Sequence, residues 1–597
     1  MIIYSKGGGD FTMTHISYIY VFSFGFLKNI GLSLDHRFEF NMEEGRLCVV
    51  KTAKVLPSHF WNSGVYSLTA IVGNNGAGKT TALRLMKHLF IEGAPRNEDA
   101  DVLIVYEQQG NLYAYNPRGI VLDASPDIHI TEITQRRSIE TLYYSGHFQP
   151  YTDEEDMELS GSFEASDGWL LVKDLQDYAN VESLHMSEPL YNHLSAYYAQ
   201  NNYRICEVLA LEGLRNLLQT VRLPRFVQFA PNRGGWNAIK LDRMGRYVGL
   251  DIPAERLTSG NPKEQALERI VYYDILNLIA EGKGEAEELC EFLKEWVEAP
   301  KNEGVIIALE HRIIVGPNAT EAHKALGSLR YVIQKIETLC KFDDESQTFY
   351  VDVVHEGNKF RGLIDELIRS PYFLTARFFD IIYSHNLVGS VRLSSGEQEL
   401  LNLLSRLYYG ITIRPQKFHN IEPPRLLLLD EAEIGFHPEW QRQYIKMLNE
   451  FMGYMRVKVG VDFQIVLTSH SPIILSDLPV RCVNFLKREG GKTELVSDEK
   501  ETYSENVFNL YRRAFFMKNG LIGAFANDRL RHLFDKARRG EDDEDMMKEV
   551  ELIGDERIKD ALLYEIGNHH YDVARRYYQQ KLEELERRRA NEEDRPE

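Results

Sequence analysis

The alternation of apolar and polar positions divides the chain into a strand-rich beginning, a helical middle and a second strand-rich part. Residues His15 to Phe40 are rich in Ile, Tyr, Val and Phe with polar interruptions, which predicts strands of an N-terminal sheet. Ser67 to Val72 is a short apolar run that ends in a glycine-rich turn, and Thr80 to Phe90 has the apolar spacing of a helix. Val102 to Tyr115 is typical of a hairpin whose turn holds a Gly-Asn pair.

Between about residue 160 and residue 380 the apolar spacing is mainly helical, as in Lys263 to Trp296 and in Thr320 to Cys340. Strand-like runs interrupt this part of the chain near Phe226 and from Phe349 to Val354. No heptad repeat persists through it, which argues against a long coiled-coil arm. The pattern therefore predicts a compact, mainly helical insertion.

Strand-like runs return after the helical middle. Arg425 to Leu429 and Phe463 to Leu467 are the apolar runs typical of parallel strands that are buried on both faces. From Thr502 onward the pattern is helical, and the sequence finishes in the charged stretch Lys581 to Glu597, which we interpret as a solvated helix end. Strands that alternate with helices around a glycine turn predict an α/β fold.

The composition is that of a globular protein too long for one hydrophobic core. The 597 residues are 44% hydrophobic and 26% charged, so we expect more than one domain, and no stretch is apolar for long enough to cross a bilayer. Met1 to Phe11 lacks the apolar core of a secretory signal, and the five cysteines form no CxxC pair, so a cytoplasmic location is expected. The net charge of −20 argues against a surface built mainly for DNA.

A glycine-rich loop between a predicted strand and a predicted helix carries the first chemical motif. It matches the pattern GxxxxGK[ST], in which glycines let successive backbone N–H groups point at bound phosphates. Lys79 is expected to reach the β- and γ-phosphates of a nucleotide, and Thr80 to give its hydroxyl to Mg²⁺. A chance glycine turn is the alternative, and the strand and helix around the loop argue against it. The predicted nucleotide-binding residues of this loop are Gly73, Asn74, Asn75, Gly76, Ala77, Gly78, Lys79, Thr80 and Thr81.

Two carboxylates close the apolar strand that ends at Leu429. Asp430 is expected to hold the magnesium ion, directly or through water, and Glu431 to polarise the attacking water. An acidic pair after a strand is by itself more often a solvated strand end. The other motifs of the chain favour the catalytic interpretation.

A polar turn precedes the helix predicted over Leu400 to Leu407. Its sequence, Leu-Ser-Ser-Gly-Glu-Gln, resembles the LSGGQ signature of ABC-class ATPases, with a serine where the first glycine usually stands. In that class the signature of one protomer contacts the γ-phosphate on the P-loop of the other, so the resemblance implies a composite site in a head-to-head dimer. A plain helix N-cap is the other interpretation, and the two roles are compatible. The resemblance assigns to the nucleotide Ser394, Ser395, Gly396 and Glu397.

His470 follows the next strand after Asp430, where ABC-class ATPases place their switch histidine. The resemblance implies that its neutral imidazole contacts the γ-phosphate, and a structural histidine is the alternative. The glutamine of the Q-loop, which the class places near the metal, is harder to locate. Gln149, after the strand-like run Thr141 to Ser145, is the candidate, with an ordinary surface glutamine as the alternative.

The resemblance to ABC-class ATPases covers about Leu68 to Met86 and Val391 to Pro479. It implies an α/β fold, in which an ABC-type P-loop NTPase head carries a large, mainly helical insertion and a helical C-terminal region, with ATP and Mg²⁺ as cofactors. The predicted division is residues 1–160 for the N-terminal half of the ATPase head, 161–380 for the insertion, 381–500 for the C-terminal half of the head, and 501–597 for a helical partner-binding region.

The sequences of these motifs resemble those of one branch of the class more than those of the transporter ATPases. DEAEIGFHP from Asp430 and TSHSP around His470 are similar to RecF, SMC-like and OLD-family proteins and to bacterial defence ATPases of the AAA type. A weaker likeness, from Glu505 to Phe525 and from Glu551 to Ile558, is to Septu PtuA-like ATPases, including those encoded beside some retrons; helix packing explains these positions equally well. That likeness implies a homo-dimer or higher homo-oligomer with a separate HNH-type effector nuclease, a retron RNA–DNA as candidate sensor, and no membrane partner.

Three functions compete for these motifs. A defence ATPase that controls a separate nuclease is favoured, because the acidic run Asp542 to Asp545 and the pair His569 and His570 lie in helical contexts without the pattern of a Toprim or HNH nuclease. A RecF- or SMC-like repair ATPase that clamps DNA is the alternative, against which the acidic balance and the missing coiled coil count. A transporter ATPase is disfavoured by the long insertion between the P-loop and the signature.

Overall fold

The computed structural model describes residues 14–53, 55–90, 100–147, 162–166, 170, 190–217, 223–231, 261–280, 286–298, 309, 311, 319–369, 379–387, 393–417, 422–496, 500–513, 522–541 and 544–593. The chain divides into two compact units, Met1–Phe516 and Met517–Glu597. Strands and helices are numbered below in chain order within the described residues.

A mainly parallel sheet forms the centre of the first unit. Its strands are β5 (Val65–Gly73), β10 (Thr141–Ser145), β11 (Ser162–Glu164), β16 (Leu426–Asp430), β17 (Phe463–Ser469), β18 (Val483–Glu489) and β19 (Lys492–Val496), and the helix α1 (Lys79–Leu89) follows β5. The order in the described part of the chain is β11, β10, β16, β17, β5, β18, β19, and the last strand is antiparallel to its neighbour. Every residue of β16 and β17 is buried, as the uninterrupted apolar runs predicted. The predicted α/β fold is confirmed.

Two smaller sheets are built from the strands before and after α1. The first contains β2 (Ile30–Ser33), β1 (Thr14–Ser23), β6 (Asp101–Gln108), β7 (Asn111–Tyr115) and β9 (Ile130–Ile133), and the second contains β3 (Phe38–Glu43), β4 (Arg46–Lys51) and β8 (Val121–Ala124), each in that order. The predicted N-terminal strands and the predicted hairpin are confirmed. The hairpin turn lies one residue earlier than predicted, at Gln109 and Gly110, whose φ angles of 51° and 85° match the twist of the flanking strands.

Buried side chains cover both faces of the parallel sheet. On one face, Ile71, Leu428 and Val466 pack in a core with α1 and β1, and the other face shares a larger core with the helical segments. The buried side chain of Gln464 joins the parallel sheet to β1. Its Nε2 donates to the carbonyl of Ile16 at 2.7 Å, and its Oε1 accepts from the N–H of the same residue at 2.9 Å. A buried amide that is paired in this way fixes the two sheets to each other.

Helices make up most of the described residues between β11 and β16. They are α2 (Leu190–Leu209), α3 (Glu212–Leu217), α4 (Pro262–Ala280), α5 (Ala286–Glu298), α6 (Glu321–Leu339) and α7 (Gly357–Arg369). The predicted helices are confirmed, the first of them as the pair α4 and α5. The two predicted strand-like runs are also confirmed, and they belong to an antiparallel sheet that the pattern did not predict. Its strands, within the described residues, are in order β13 (Lys341–Asp343), β14 (Thr348–Asp352), β12 (Phe226–Pro231) and β15 (Phe379–Ser384).

The helix that follows the signature motif packs against the helical insertion. The helical elements of this part are α8 (Ser395–Tyr408), the π-helical turn Tyr409–Ile413, α9 (Arg414–Lys417), α10 (Pro438–Val459), α11 (Pro472–Leu475), the 3₁₀ turn Val480–Cys482 and α12 (Val507–Arg513). Asn201 on α2 donates through Nδ2 to Oδ1 of Asn402 on α8 at 3.1 Å. Arg406 on α8 donates to the hydroxyl of Tyr197 at 2.7 Å. A buried and a partly buried polar contact therefore join α8 to the insertion.

The second unit is helical, as the pattern after Thr502 predicted. Its helices in the described residues are α13 (Ala524–Arg538), α14 (Glu544–Glu551), α15 (Glu556–His569) and α16 (Tyr571–Glu593). Leu533, Val550, Leu562 and Ile566 form its core. Asp542 and Asp543 of the acidic run lie outside the described residues. Across the part of the chain that the structure describes, no helix combines the length and the apolar content that crossing a bilayer requires.

Candidate nucleotide site

Glycine is required by the backbone of the loop between β5 and α1. Gly76 has a φ of 73° and Gly78 a φ of 96°, both in the left-handed region where other residues are strained. A Cβ atom at Gly73 would overlap the carbonyl oxygen of Leu486 on β18. The glycines that the motif demands are therefore also the ones that the local backbone demands.

The loop is fixed to β18 by an asparagine. The side chain of Asn74 donates to the carbonyl of Arg488 at 3.1 Å and accepts from the N–H of the same residue at 2.9 Å. Ala77 is buried, Asn75 is exposed, and Thr81 is half-buried on α1. The loop thus combines an anchored beginning with an exposed middle.

Lys79 is buried at the first position of α1. Its Nζ donates to the carbonyl of Gly73 at 3.4 Å. Burial lowers the pKa of Lys79, and the carboxylates of Glu431, Asp430 and Glu433 oppose that shift. A buried cation beside a glycine loop is the countercharge that a polyphosphate needs.

The carboxylate of Asp430 accepts hydrogen bonds from three hydroxyl groups. Thr80 donates to Oδ1 at 3.2 Å, Thr468 donates to Oδ1 at 2.5 Å, and Tyr143 donates to Oδ2 at 3.0 Å. Asp430 and Thr80 come from opposite halves of the predicted head, and the parallel order of β16, β17 and β5 brings their ends together. The predicted pair of magnesium ligands is therefore adjacent.

The carboxylate of Glu431 lies between two histidines. Nε2 of His470 is 3.1 Å from Oε1, and Nε2 of His147 is 2.7 Å from Oε2. The hydrogen bond from His470, together with the one from His147, lowers the pKa of Glu431 to about 2 against the opposing effect of burial. The backbone φ of Glu431 is 46°, and its N–H donates to the hydroxyl of Thr468 at 3.0 Å. Glu431 is thus an anion near neutral pH, with hydrogen bonds on both side-chain oxygens.

His147 reaches Glu431 because β10 and β16 are neighbours in the sheet. Ser145 lies opposite Asp430 in the parallel ladder, and the N–H of Gly146 donates to the carbonyl of Asp430 at 3.0 Å. A Cβ atom at Gly146 would overlap the carbonyl oxygen of Glu431. The glycine therefore permits the close approach that brings the following histidine to the carboxylate.

Glu433, two residues further along, has the opposite environment. Its side chain is buried, and Oε1 accepts from the hydroxyl of Ser469 at 2.5 Å. Burial raises the pKa of Glu433 to about 7, which the hydrogen bond from Ser469 only partly offsets. The two acidic side chains near the strand end therefore change their charge in different pH ranges.

The start of α8 carries a complete capping box. The hydroxyl of Ser394 accepts from the N–H of Glu397 at 3.4 Å, and the N–H of Ser394 donates to the Glu397 carboxylate at 2.9 Å. Burial alone would raise the pKa of Glu397, but its hydrogen bonds with Ser394 and His385 hold that pKa below the ordinary value. Ser394 and Ser395 are exposed, and Gly396 lies against the backbone of Gly435. The capping interpretation is confirmed, and the Ser394 hydroxyl also donates to the Glu397 carboxylate at 2.8 Å.

Sequence reasoning missed the groups that hold the two strand-end carboxylates. His147, Tyr143 and Thr468 each contact Asp430 or Glu431. Tyr143 lies on the run that was predicted as a strand, and His147 lies just after it. Knowledge that this strand pairs with β16 would have identified both residues. Gln149, the Q-loop candidate, lies outside the described residues.

These residues fit ATP with Mg²⁺. Magnesium prefers oxygen ligands, and the hydroxyl of Thr80 and the carboxylate of Asp430 supply them side by side. The glycine loop and Lys79 supply the backbone shape and the cation that phosphates need. The predicted roles of these residues stay predictions, and their placement is compatible with each one.

Comparison with known proteins gives partial matches. Residues 260–476 match the family described as "AAA domain, putative AbiEii toxin, Type IV TA system". The chain is 26% identical over 144 residues to Protein ea59 of Escherichia phage lambda, which is 24% of either chain. It is 22% identical over 196 residues to the Retron Vc95 probable ATPase of Vibrio cholerae serotype O1 biovar El Tor, covering 32% of this chain and 35% of the relative.

A third relative is the Retron Ec83 probable ATPase of Escherichia coli, 26% identical over 141 residues, which are 22% of this chain and 24% of the relative. The matches thus span between 24% and 35% of the relatives' own lengths. The matched family region includes the signature motif, both strand-end carboxylates and His470. These matches confirm, at low identity, the predicted resemblance of this chain to retron-associated ATPases of the AAA type.

Proposed function

We propose that this chain binds ATP with Mg²⁺ and hydrolyses it at a site shared between two copies of the chain. The observation that carries the proposal is the meeting of the P-loop with the two strand-end carboxylates. Thr80 contacts Asp430, and Glu431 pairs with His470 at the same edge of the parallel sheet. Residues from three separate motifs converge there, and a chance glycine turn explains none of these contacts.

Each residue has a role that its surroundings support. Lys79 neutralises phosphate charge, Thr80 and Asp430 hold the metal, and Glu431 accepts a hydrogen bond from the attacking water. When bound, Mg·ATP supplies the phosphoryl group that the water attacks. Glu431 can act as an acceptor near neutral pH because hydrogen bonds from both histidines favour its anion.

The second copy would supply the signature motif. Ser394 and Ser395 are exposed at the N-terminus of α8, and the hydroxyl of Ser394 interacts with Glu397 of its own helix. Backbone N–H groups and the dipole at a helix N-terminus favour an anion. A phosphate bound to the P-loop of another copy is the anion that the signature resemblance implies.

Replacing Glu431 by Gln tests the catalytic assignment. The amide cannot serve as the anionic acceptor, so the steady-state rate should fall on the order of 100-fold or more while ATP binding persists. Glu439→Gln is the matched control, because Glu439 is an exposed carboxylate on α10 that pairs with Arg442. Hydrolysis that survived in the Glu431 variant would show that another group polarises the water.

Replacing Lys79 by Ala separates binding from turnover. The phosphates lose their main countercharge, so nucleotide affinity itself should fall, unlike in the Glu431 variant. Equilibrium binding of a fluorescent ATP analogue measures the difference. Unchanged affinity would remove Lys79 from the nucleotide site.

The ATPase is further proposed to serve a bacterial defence system and to control a separate effector nuclease of HNH type, with a retron RNA–DNA as candidate sensor. Support comes from the two relatives named as retron probable ATPases. Purification of the native complex tests this role. A nuclease that copurifies would support it, whereas DNA alone would favour a clamp of the RecF or SMC kind.

A further inference from the structure

The proposed hydrolysis requires that the Glu431 carboxylate keep one orientation. Two histidines contact this carboxylate, and they differ in the role that the proposed function gives them. His470 is the residue that the class resemblance directs to the nucleotide. In the proposed function His147 only favours the anionic form of Glu431, although its hydrogen bond to Glu431 at 2.7 Å is the shorter of the two, against 3.1 Å for His470.

The position of His147 is determined by the main chain. The residue follows directly after β10, whose last residue, Ser145, lies opposite Asp430 in the ladder. The N–H of His147 donates to the hydroxyl of Ser145 at 3.2 Å, and the preceding Gly146 is bonded to the carbonyl of Asp430. The contact of Gly146 with Asp430 thus holds the main chain just before His147 against the end of β16.

The backbone of Glu431 needs such support. Its φ of 46° is uncommon for a residue with a long side chain, and it directs the chain away from β16 immediately after the strand. The hydroxyl of Thr468 on β17 accepts from the Glu431 N–H, while His147, two residues after the end of β10, contacts the Glu431 carboxylate. Glu431 is therefore supported from both neighbouring strands.

We propose that His147 is a positioning residue for Glu431, and that its Nε2–H fixes one carboxylate oxygen whichever group His470 contacts. This inference rests on the proposed ATP hydrolysis, in which Glu431 orients the water. The role requires an N–H donor at the position of Nε2. It does not require a group that takes up or releases a proton.

The chain offers a direct substitution test. Gln at position 147 places an amide N–H near the position of Nε2, whereas Leu has similar bulk and no donor. His147→Leu should lower kcat on the order of 10- to 100-fold with an unchanged KM for ATP, because misplacing a catalytic group affects the chemical step. His147→Gln should restore most of kcat. His355→Leu, in the turn that follows β14, is the control for loss of an exposed histidine.

A second readout does not depend on turnover. If His147 acts through Glu431, adding His147→Leu to Glu431→Ala, which removes the acceptor, should lower the melting temperature of the nucleotide-free protein less than His147→Leu does alone. Additive decreases in melting temperature would overturn the inference. A His147→Leu variant with the wild-type kcat would also overturn it, as would a His147→Gln variant whose kcat is as low as that of His147→Leu. If the unaltered protein hydrolyses no ATP, the proposed function fails, and the melting comparison still decides whether His147 acts through Glu431.

Discussion

Glu431 and Glu433 show how strongly position determines the chemistry of a side chain. The pKa of Glu431 is lowered to about 2, with the hydrogen bond from His470 as the main cause, whereas burial raises the pKa of Glu433 to about 7. The first side chain therefore stays anionic over the range in which the second changes its charge. A buried carboxyl that is neutral in acid and charged in base makes the stability of the fold depend on pH.

Glu433 should make the fold less stable as the pH rises. A carboxyl whose pKa is higher in the folded chain than its ordinary value of 4.5 binds more protons when folded, so its contribution to stability is full below about pH 4.5 and is lost towards pH 7. Glu433→Gln keeps the acceptor for Ser469 and removes the titration. The free energy of unfolding of the wild type relative to this variant should fall between pH 5 and pH 8. Parallel curves for the two proteins would contradict this account.

At the residue scale, the motifs were predictable because the chemistry of phosphate and magnesium binding restricts residue types at fixed spacing. The contact between Thr80 and Asp430 follows from that logic. The contact between His147 and Glu431 could not be predicted from motif spacing, because it depends on which strand lies beside β16. Local spacing carries no information on that choice.

At the element scale, strands of the parallel sheet were predictable from uninterrupted apolar runs, because burial on both faces leaves no polar positions. The antiparallel sheet of the insertion was not predictable from the local sequence pattern. Its strand β12 pairs with β14 and with β15, which follow much later in the chain, and its runs are short. Pairing between distant short segments leaves no local pattern.

The start of α8 has two roles to separate, because Ser394 is both an N-cap and the proposed phosphate contact. Asn and Asp both serve as N-caps, whereas loss of the cap costs about 1 kcal/mol. Ser394→Asn should therefore keep stability and some hydrolysis, and Ser394→Asp should lose hydrolysis because its charge repels phosphate. Thermal unfolding and steady-state ATPase assays of the two variants measure both roles. If both variants hydrolyse ATP at the same measurable rate, Ser394 serves only as the helix N-cap and does not contact phosphate.

At the scale of the whole molecule, each copy carries a P-loop and a signature motif whose two serines are exposed. If the signature acts on the P-loop of another copy, two inactive variants can complement each other. A chain with Lys79→Ala keeps its signature, and a chain with Ser394→Asp keeps its P-loop. A mixed dimer of the two has one site in which both motifs are intact and one in which both are altered.

The measurement that tests the shared site most directly is the ATPase rate of an equimolar mixture of the Lys79→Ala and Ser394→Asp chains after subunit exchange. Random pairing in a symmetric dimer predicts recovery of about a quarter of the wild-type rate, because half of the dimers are mixed and each has one of two sites intact. The control replaces the second chain by one that carries both substitutions, and it should stay inactive. A mixture no more active than its two components would contradict the shared ATPase site.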